Sequence, residues 1–401
     1  MSWQTRPLSE IADFVLGKML DQAKNRGEPL PYLANVNVRW GDFDLSDLRE
    51  MRFEPHEVER YGLKPGDIVM CEGGEPGRCA LWKGQREGMM IQKALHRIRP
   101  RAGLDSTFLY YAFLNIGKQN GFAPFFTGAT IKHLPREQLA RVLIRFPEWS
   151  EQRAIAVVLS AYDDLIATNQ RRIALLEDAA RRLYREWFVH LRFPGHESVP
   201  VKDGVPEGWA KLPLGDVAEI TMGQSPESKY YNTDGDGLPF HQGVSDFGHR
   251  FVKHETYTKL ATRIGEAGDI LCSVRAPVGR LNFTRDKIAI GRGLSAMRSR
   301  TGHQSLLFYQ LDALFVEEDM IGGGAIFASV GKKELVGQLI LQPSTSIATT
   351  FNRLVSDLDL QIENLDSQNQ ELAKARDLLL PKLMYGQLDV SGIALPDEVA
   401  A

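Results

Sequence analysis

The sequence predicts an α+β protein made by tandem duplication: globular half, long helix, globular half, long helix. Three observations carry this. The stretch from Glu148 to Phe188 holds no proline or glycine, and steps of three and four from Ile155 reach Val158, Tyr162, Leu165, Asn169, Arg172, Leu176, Ala179 and Leu183, a helical seam. The same steps return at Phe351, Leu354, Leu358, Gln361, Leu365, Gln368, Leu372, Ala375 and Leu379, each 196 positions later. The segments before the two helices also match each other. Each seam is apolar at its ends and polar near its middle, so the helices suit each other as partners in a short coiled coil. Asn169, Arg172, Gln361 and Gln368 would then fix its register.

Taken in order, the match begins with Trp3, Leu8, Ala12 and Gly17 against Trp209, Leu214, Ala218 and Gly223. Leu30-Pro31-Tyr32 then answers Leu238-Pro239-Phe240, and Gly66-Asp67-Ile68 answers Gly268-Asp269-Ile270. Gly77-Arg78 answers Gly279-Arg280, and Pro147 answers Pro343. The domain bounds that follow are 1–147, a helical region 148–195, a second domain 196–342, a second helical region 343–390, and a tail 391–401 expected to be disordered. Apolar runs bounded by glycine and proline, such as Asp67 to Cys71 and Asp269 to Cys272, read as strands. Ser106 to Phe113 and Ser305 to Phe315 read as helices opening on a serine cap. The glycines from Gly322 read as a turn.

At 401 residues with 43% hydrophobic side chains, the chain is long enough for two cores. Cys71, Cys79 and Cys272 form no CxxC pair and cannot all be bridged, which points to a reducing interior. No signal pattern opens the chain and no apolar run approaches the length of a membrane span, so a cytoplasmic, membrane-free protein is expected. The net charge of −3 argues against a broadly basic surface. By segment, residues 1–147 carry 21 basic against 17 acidic side chains and residues 343–401 carry 4 against 9, so only local clustering could form a nucleic-acid face.

Catalytic motifs are missing. No phosphate loop follows a strand, and no Asp/Asn-Pro-Pro-aromatic tetrapeptide of the kind used by amino-methyltransferases occurs. His241, Asp246, His249 and His254 invite a metal reading, but without helical spacing or a counterpart in the first half they read better as a polar loop. Binding signals are clearer. Arg78, Lys83, Arg86, Lys93, Arg97, Arg99 and Arg101 share a window with one acid, Glu87, and the matching window holds Arg280, Arg285, Lys287, Arg292, Arg298 and Arg300 with only Asp286. Duplicated basic tracts fit phosphate contacts on a duplex. Polar residues in the non-matching stretches, Asn37 and Arg39 in one half and Lys229 and Gln242 in the other, are candidates for base edges. The expected DNA-binding set is Asn37, Arg39, Arg78, Lys93, Lys132, Lys229, Gln242, Arg275, Arg280 and Arg292. The expected helix-pairing set is Ile155, Val158, Leu165, Leu176, Leu183, Phe351, Leu354, Leu358, Leu372 and Leu379. A self-contained enzyme and a protein-only scaffold remain as rival classes.

The tract FPEWSEQRAIAVVLSAYDDLI from Phe146 resembles the helical opening of Type I restriction-modification specificity subunits, with its proline, Glu-Gln pair and Ile-Ala-x-x-Leu. The paired Gly-Asp-Ile strands, the TGAT and GGAI tracts and the two-fold repeat are also similar to that family. The second copy, PSTSIATTFNRLV, lacks the Glu-Gln pair. The resemblance implies two α/β target recognition domains, each reading half of a split, asymmetric DNA site, and two long helices packed antiparallel. It implies no catalysis in this chain. Double-stranded DNA, two modification subunits and restriction subunits would be the partners, with S-adenosylmethionine, ATP and Mg2+ on those subunits. Helices of roughly 35 to 40 residues, about 55 Å long, would hold the readers apart, with their outer faces docking the modification subunits.

Overall fold

A computed structural model describes residues 3–21, 25–315, 320–321, 325–326 and 329–393. The tail beyond Ile393 and the glycine turn from Gly322 lie outside the described residues. The chain divides into two compact units: Met1–Asn169 with Ser367–Ala401, and Gln170–Asp366. The division falls within the long helices rather than at the bounds expected from sequence.

The first unit mixes strands and helices, and its main sheet lies between two buried clusters. Its main sheet is antiparallel, in the order Ala12–Leu16, Leu95–Pro100, Ile68–Cys71, Cys79–Leu81. Ile68–Cys71 is buried on both faces, which explains why it reads as an unbroken apolar run. Beside this sheet, Glu28–Leu33 pairs antiparallel with Arg49–Phe53 and parallel with Met90–Ile91. Gln4–Pro7 pairs with Leu143–Phe146. The helix Ser106–Lys118 packs Phe108, Leu109 and Phe113 into the core. Its cap is Asp105, whose carboxylate accepts from Phe108 N at 2.8 Å, so the helix opens one residue before the serine expected to cap it.

The second unit repeats this strand plan. Ala218–Met222, Leu294–Ser299, Ile270–Ser273 and Leu281–Phe283 form the same antiparallel order. Leu238–His241 runs parallel to Ile288–Ile290, and Ala210–Pro213 pairs with Leu339–Gln342. The equivalent helix is Gln304–Leu314, with no side-chain cap and with Ser305 inside its first turn. Inter-element ion pairs repeat too. Arg99 binds Asp67 at 2.7 Å as Arg298 binds Asp269 at 2.7 Å, and Arg101 binds Asp13 at 2.7 Å as Arg300 binds Glu219 at 3.3 Å.

The long helices run over Trp149–Tyr184 and Thr345–Met384, the latter carrying Pro381 in its last turns. Gln152 anchors the first of them. Its Oε1 accepts from Asp105 N at 2.9 Å, and its Nε2 donates to Gly103 O at 3.0 Å and to Pro147 O at 2.9 Å. The Gln of the Glu-Gln pair is therefore a clamp inside the first unit; the second copy has buried Ala348 there.

Of the expected pairing residues, Ile155 and Phe351 are buried, while Val158, Leu176, Leu183, Leu358, Leu372 and Leu379 are half-buried. Leu165 and Leu354 are 47% and 43% exposed, so neither lies in the seam. The buried stripe passes instead through Leu159, Asn169, Ile173 and Ala180, and through Val355, Ile362 and Leu365. Neighbouring apolar residues, Val158 beside Leu159 and Leu354 beside Val355, permit a step of three or of four; the helices take four. Arg172, Gln361 and Gln368 face solvent. The polar pair within the first unit is Asn169, donating to Asn369 at 3.0 Å. Also within that unit, Asp163 accepts from Tyr111 Oη at 2.6 Å and pairs with Arg376. Partner numbers fall along one helix as they rise along the other.

In the second unit Asp359 accepts from Tyr309 Oη at 3.2 Å and pairs with Arg250. Arg250 is 4% exposed, lies 3.5 Å from Glu177, and stacks on Phe308 with 4.4 Å to the ring centroid. Phe351 sits among Tyr184, Trp187, Phe188 and Tyr309. All three cysteines are buried thiols, and burial pushes Cys272 up to about 12. Among the described residues, no helix is long and apolar enough to cross a membrane.

Candidate nucleic-acid interface

Most of the duplicated basic tract is used inside the protein. Arg99, Arg101, Arg298 and Arg300 make the repeated ion pairs above. Arg97 is buried and donates to Gly62 O at 3.1 Å, Lys83 binds Asp164, Lys287 binds Glu266, and Arg285 binds Glu363 and Asp366. A strand residue facing a neighbouring strand meets carboxylates before it meets solvent, and a count of charges along the sequence does not see this.

Lys93 and Arg292 are different. Both are exposed, and neither side chain has a hydrogen-bond or ion-pair partner among the described residues. They occupy the same address, on the turn between the short parallel strand and the long strand of the main sheet. Backbone bonds place a second free cation on each rim. In the first unit Glu72 N donates to Ala94 O and Leu134 N to Glu72 O, both at 2.8 Å, which brings Lys93 and Lys132 to one edge. In the second, Val274 N donates to Gly293 O and Val330 N to Val274 O, both at 2.9 Å, which brings Arg292 and Arg275 to the equivalent edge. Lys132 and Arg275 are likewise exposed and unpartnered among the described residues.

The remaining expected contacts divide. Asn37 is 6% exposed: its Oδ1 accepts from Ala34 N at 2.9 Å and its Nδ2 donates to Asp44 O and Asp47 O, both at 3.1 Å. It builds the loop and has no group left for a base, contrary to the expectation from sequence. Arg39 donates to Val36 O and pairs with Asp44. Arg78 pairs with Glu75 at 2.7 Å and donates to Asn35 O at 2.8 Å, which makes it a loop clamp. Lys229 pairs with Glu227 at 2.7 Å. Arg280 is exposed. Gln242 is exposed beside Arg292, held by Ser225.

Comparison with known proteins bears on this geometry. Residues 1–178 match the Type I restriction modification DNA specificity domain. A Methanocaldococcus jannaschii protein assigned as the MjaX type I restriction enzyme specificity subunit is 28% identical over 97% of this chain and 94% of its own length. The MjaIX type I restriction enzyme specificity subunit of the same organism is 26% identical over the same shares. Over almost its whole length the chain is similar to Type I restriction-modification specificity subunits. The S subunit of a Type-I restriction-modification system from M. genitalium shares the fold, with a TM-score of 0.56 at 16% identity over 95% of this chain and 96% of that one.

Specificity subunits recognise DNA sequence and are non-catalytic, the catalytic activity lying in other subunits. Among the described residues of this chain, no group of three or more His, Cys, Asp and Glu side chains is placed to hold a metal ion. The histidine tract forms a hydrogen-bonded chain instead. His241 Nδ1 lies 3.0 Å from Asp246, His241 Nε2 lies 3.0 Å from His254 Nδ1, and His254 Nε2 lies 3.0 Å from Asp286. Burial pulls His241 below its ordinary range, against the pull of Asp246. The chain pins the end of the strand that carries Gln242. Ser225, which orients that side chain, was not among the residues expected to matter; a lone serine after a glycine carries no signal until the fold sets it beside an amide.

Proposed function

We propose that this chain is a Type I restriction-modification specificity subunit that reads a bipartite, asymmetric DNA site, one half-site per globular half, and scaffolds the modification and restriction subunits through its long helices. The observation that carries the reading is the pair of repeat-equivalent, unpartnered cations, Lys93 and Arg292, each joined on its rim by a second, Lys132 or Arg275. Four such side chains would track phosphates and fix each unit on the duplex, while polar and apolar groups between them would meet base edges. Exposed apolar positions on the long helices, Leu165, Leu175, Leu360 and Leu378, suit docking of modification subunits. S-adenosylmethionine, ATP and Mg2+ would be bound by the partner subunits, not by this chain.

The test is methylation mapping by single-molecule sequencing of DNA from cells that express the chain with its modification subunits, against cells lacking the chain. A split motif with a fixed unread gap, present only with the chain, is expected. An assembled, cofactor-supplied complex that leaves no chain-dependent mark would overturn the reading.

A further inference from the structure

The free rim of the second unit carries one amide whose orientation is fixed from behind. Gln242 follows the strand Leu238–His241, and its backbone is gripped by two glycines. Gly291 N donates to His241 O at 2.8 Å and Gly293 N to Gln242 O at 3.1 Å. A Cβ on Gly291 would stand 2.9 Å from Gln242 Cα, and one on Gly293 would stand 2.5 Å from Gln242 O. A side chain at either glycine would push this backbone apart. The Gln242 side chain is exposed and lines a concavity of about 510 Å³ with Ser225, Ser228, Tyr231 and Arg292.

Ser225 sets the direction of the amide. Its Oγ accepts from Arg292 N at 3.2 Å and donates to Gln242 Oε1 at 3.0 Å. The hydroxyl proton goes to the amide oxygen, which leaves Gln242 Nε2 with both protons unused among the described residues. One lone pair on Oε1 also remains. An outward donor beside an outward acceptor matches adenine in the major groove, which offers the N7 acceptor beside the N6 donor. Guanine offers two acceptors there and would oppose Oε1 with O6.

The first unit shares part of this frame without the reader, with Gln92 and Ala94 in place of Gly291 and Gly293. Gly17 N bonds Leu95 O as Gly223 N bonds Leu294 O, both at 2.9 Å, and Lys18 N bonds Ile91 O as Gln224 N bonds Ile290 O. Met19 and Ala34 occupy the positions of Ser225 and Gln242.

We propose that Gln242 reads an adenine in the half-site taken by the second unit and that Ser225 is its positioning residue. This rests on the DNA-recognition reading above. The experiment maps methylation in cells expressing the modification subunits with the wild-type chain, Gln242→Leu, Ser225→Ala or Ser225→Thr. Gln242→Leu is expected to lower discrimination for adenine at one position of one half-site about tenfold to a hundredfold, the yield of one bidentate contact. The other half-site should stay specified, which also reports that the complex assembled. Ser225→Ala should relax the same position by a smaller factor, and Ser225→Thr, which keeps the hydroxyl, should restore it. A wild-type split motif whose every position survives both Gln242→Leu and Ser225→Ala would overturn this proposal alone. Absence of any wild-type motif would overturn the DNA reading beneath it.

Discussion

Neutralising the two equivalent rim cations separates phosphate contacts from structural ion pairs. Lys93 and Arg292 have no partner among the described residues, so Lys93→Gln and Arg292→Gln remove charge without breaking a bond within the fold. Each phosphate contact contributes about 0.9 to the slope of log affinity against log salt. Extrapolated from molar to physiological salt, each substitution should weaken binding about fivefold, or about 1 kcal/mol. Removing Lys132 and Arg275 as well should lower the slope by roughly 3.6 and affinity by about a thousandfold. The control is Arg99→Gln. Arg99 is bound at 2.7 Å to Asp67, whose side chain is 1% exposed, so its loss should lower stability and leave the slope unchanged. The assay is fluorescence anisotropy of a labelled duplex titrated with the assembled complex across a salt series. An unchanged slope in the Lys93→Gln/Arg292→Gln variant would remove this rim from the DNA face.

Three further outcomes follow from the packing. Arg250→Met leaves Asp359 without its cation, Glu177 keeping Arg181, and should cost about 3 to 5 kcal/mol in denaturant unfolding; a change within error would show that Asp359 finds water. Leu159→Glu should unfold the first unit while Leu165→Glu leaves the melting curve in place, since one is fully buried and the other 47% exposed. Equal effects would restore the three-step seam. The third concerns acid. His96 is fully buried, its Nε2–H donates to Leu134 O at 2.8 Å, and its Nδ1 has no partner among the described residues, so burial holds its pKa below the ordinary value. The unfolded ring takes a proton first as pH falls. Stability should therefore drop below about pH 6.5, by up to about 1.4 kcal/mol per pH unit, until the buried ring is also protonated. His96→Gln should flatten that limb, and an identical pH profile would refute the assignment.

The duplication is legible in the sequence because strands and glycine turns keep their spacing when loops change. The seam is legible only to within one step. Val158 and Leu159 are both apolar, and which one faces inward depends on the surface that the helix meets. Charge was harder to read. Seven and six basic residues in matching windows look alike as runs, yet Arg97, Arg99, Arg101, Arg298 and Arg300 point at acids or carbonyls brought near by strand pairing. Asn37 misleads in the same way: an asparagine in a variable loop suits a base edge until its amide is found closing the loop on itself.

What the duplication preserves and what it changes mark the division between scaffold and reader. Tyr111 with Asp163, and Tyr309 with Asp359, repeat one hydrogen bond between a domain helix and a long helix. The arginine that neutralises each aspartate has moved: Arg376 comes from the second long helix in the first unit, and Arg250 from a loop of the second unit. A buried carboxylate must be paired wherever the cation comes from, so the pairing is kept although its source drifts. No such constraint acts at the rim. There the backbone bonds of Gly17 and Gly223 are duplicated, while Met19 and Ala34 stand in one copy where Ser225 and Gln242 stand in the other, and Gln92 and Ala94 where Gly291 and Gly293 stand. An exposed side chain can be exchanged without leaving a buried group unsatisfied. Two copies of one fold can thus come to read different bases while each keeps its interior pairings.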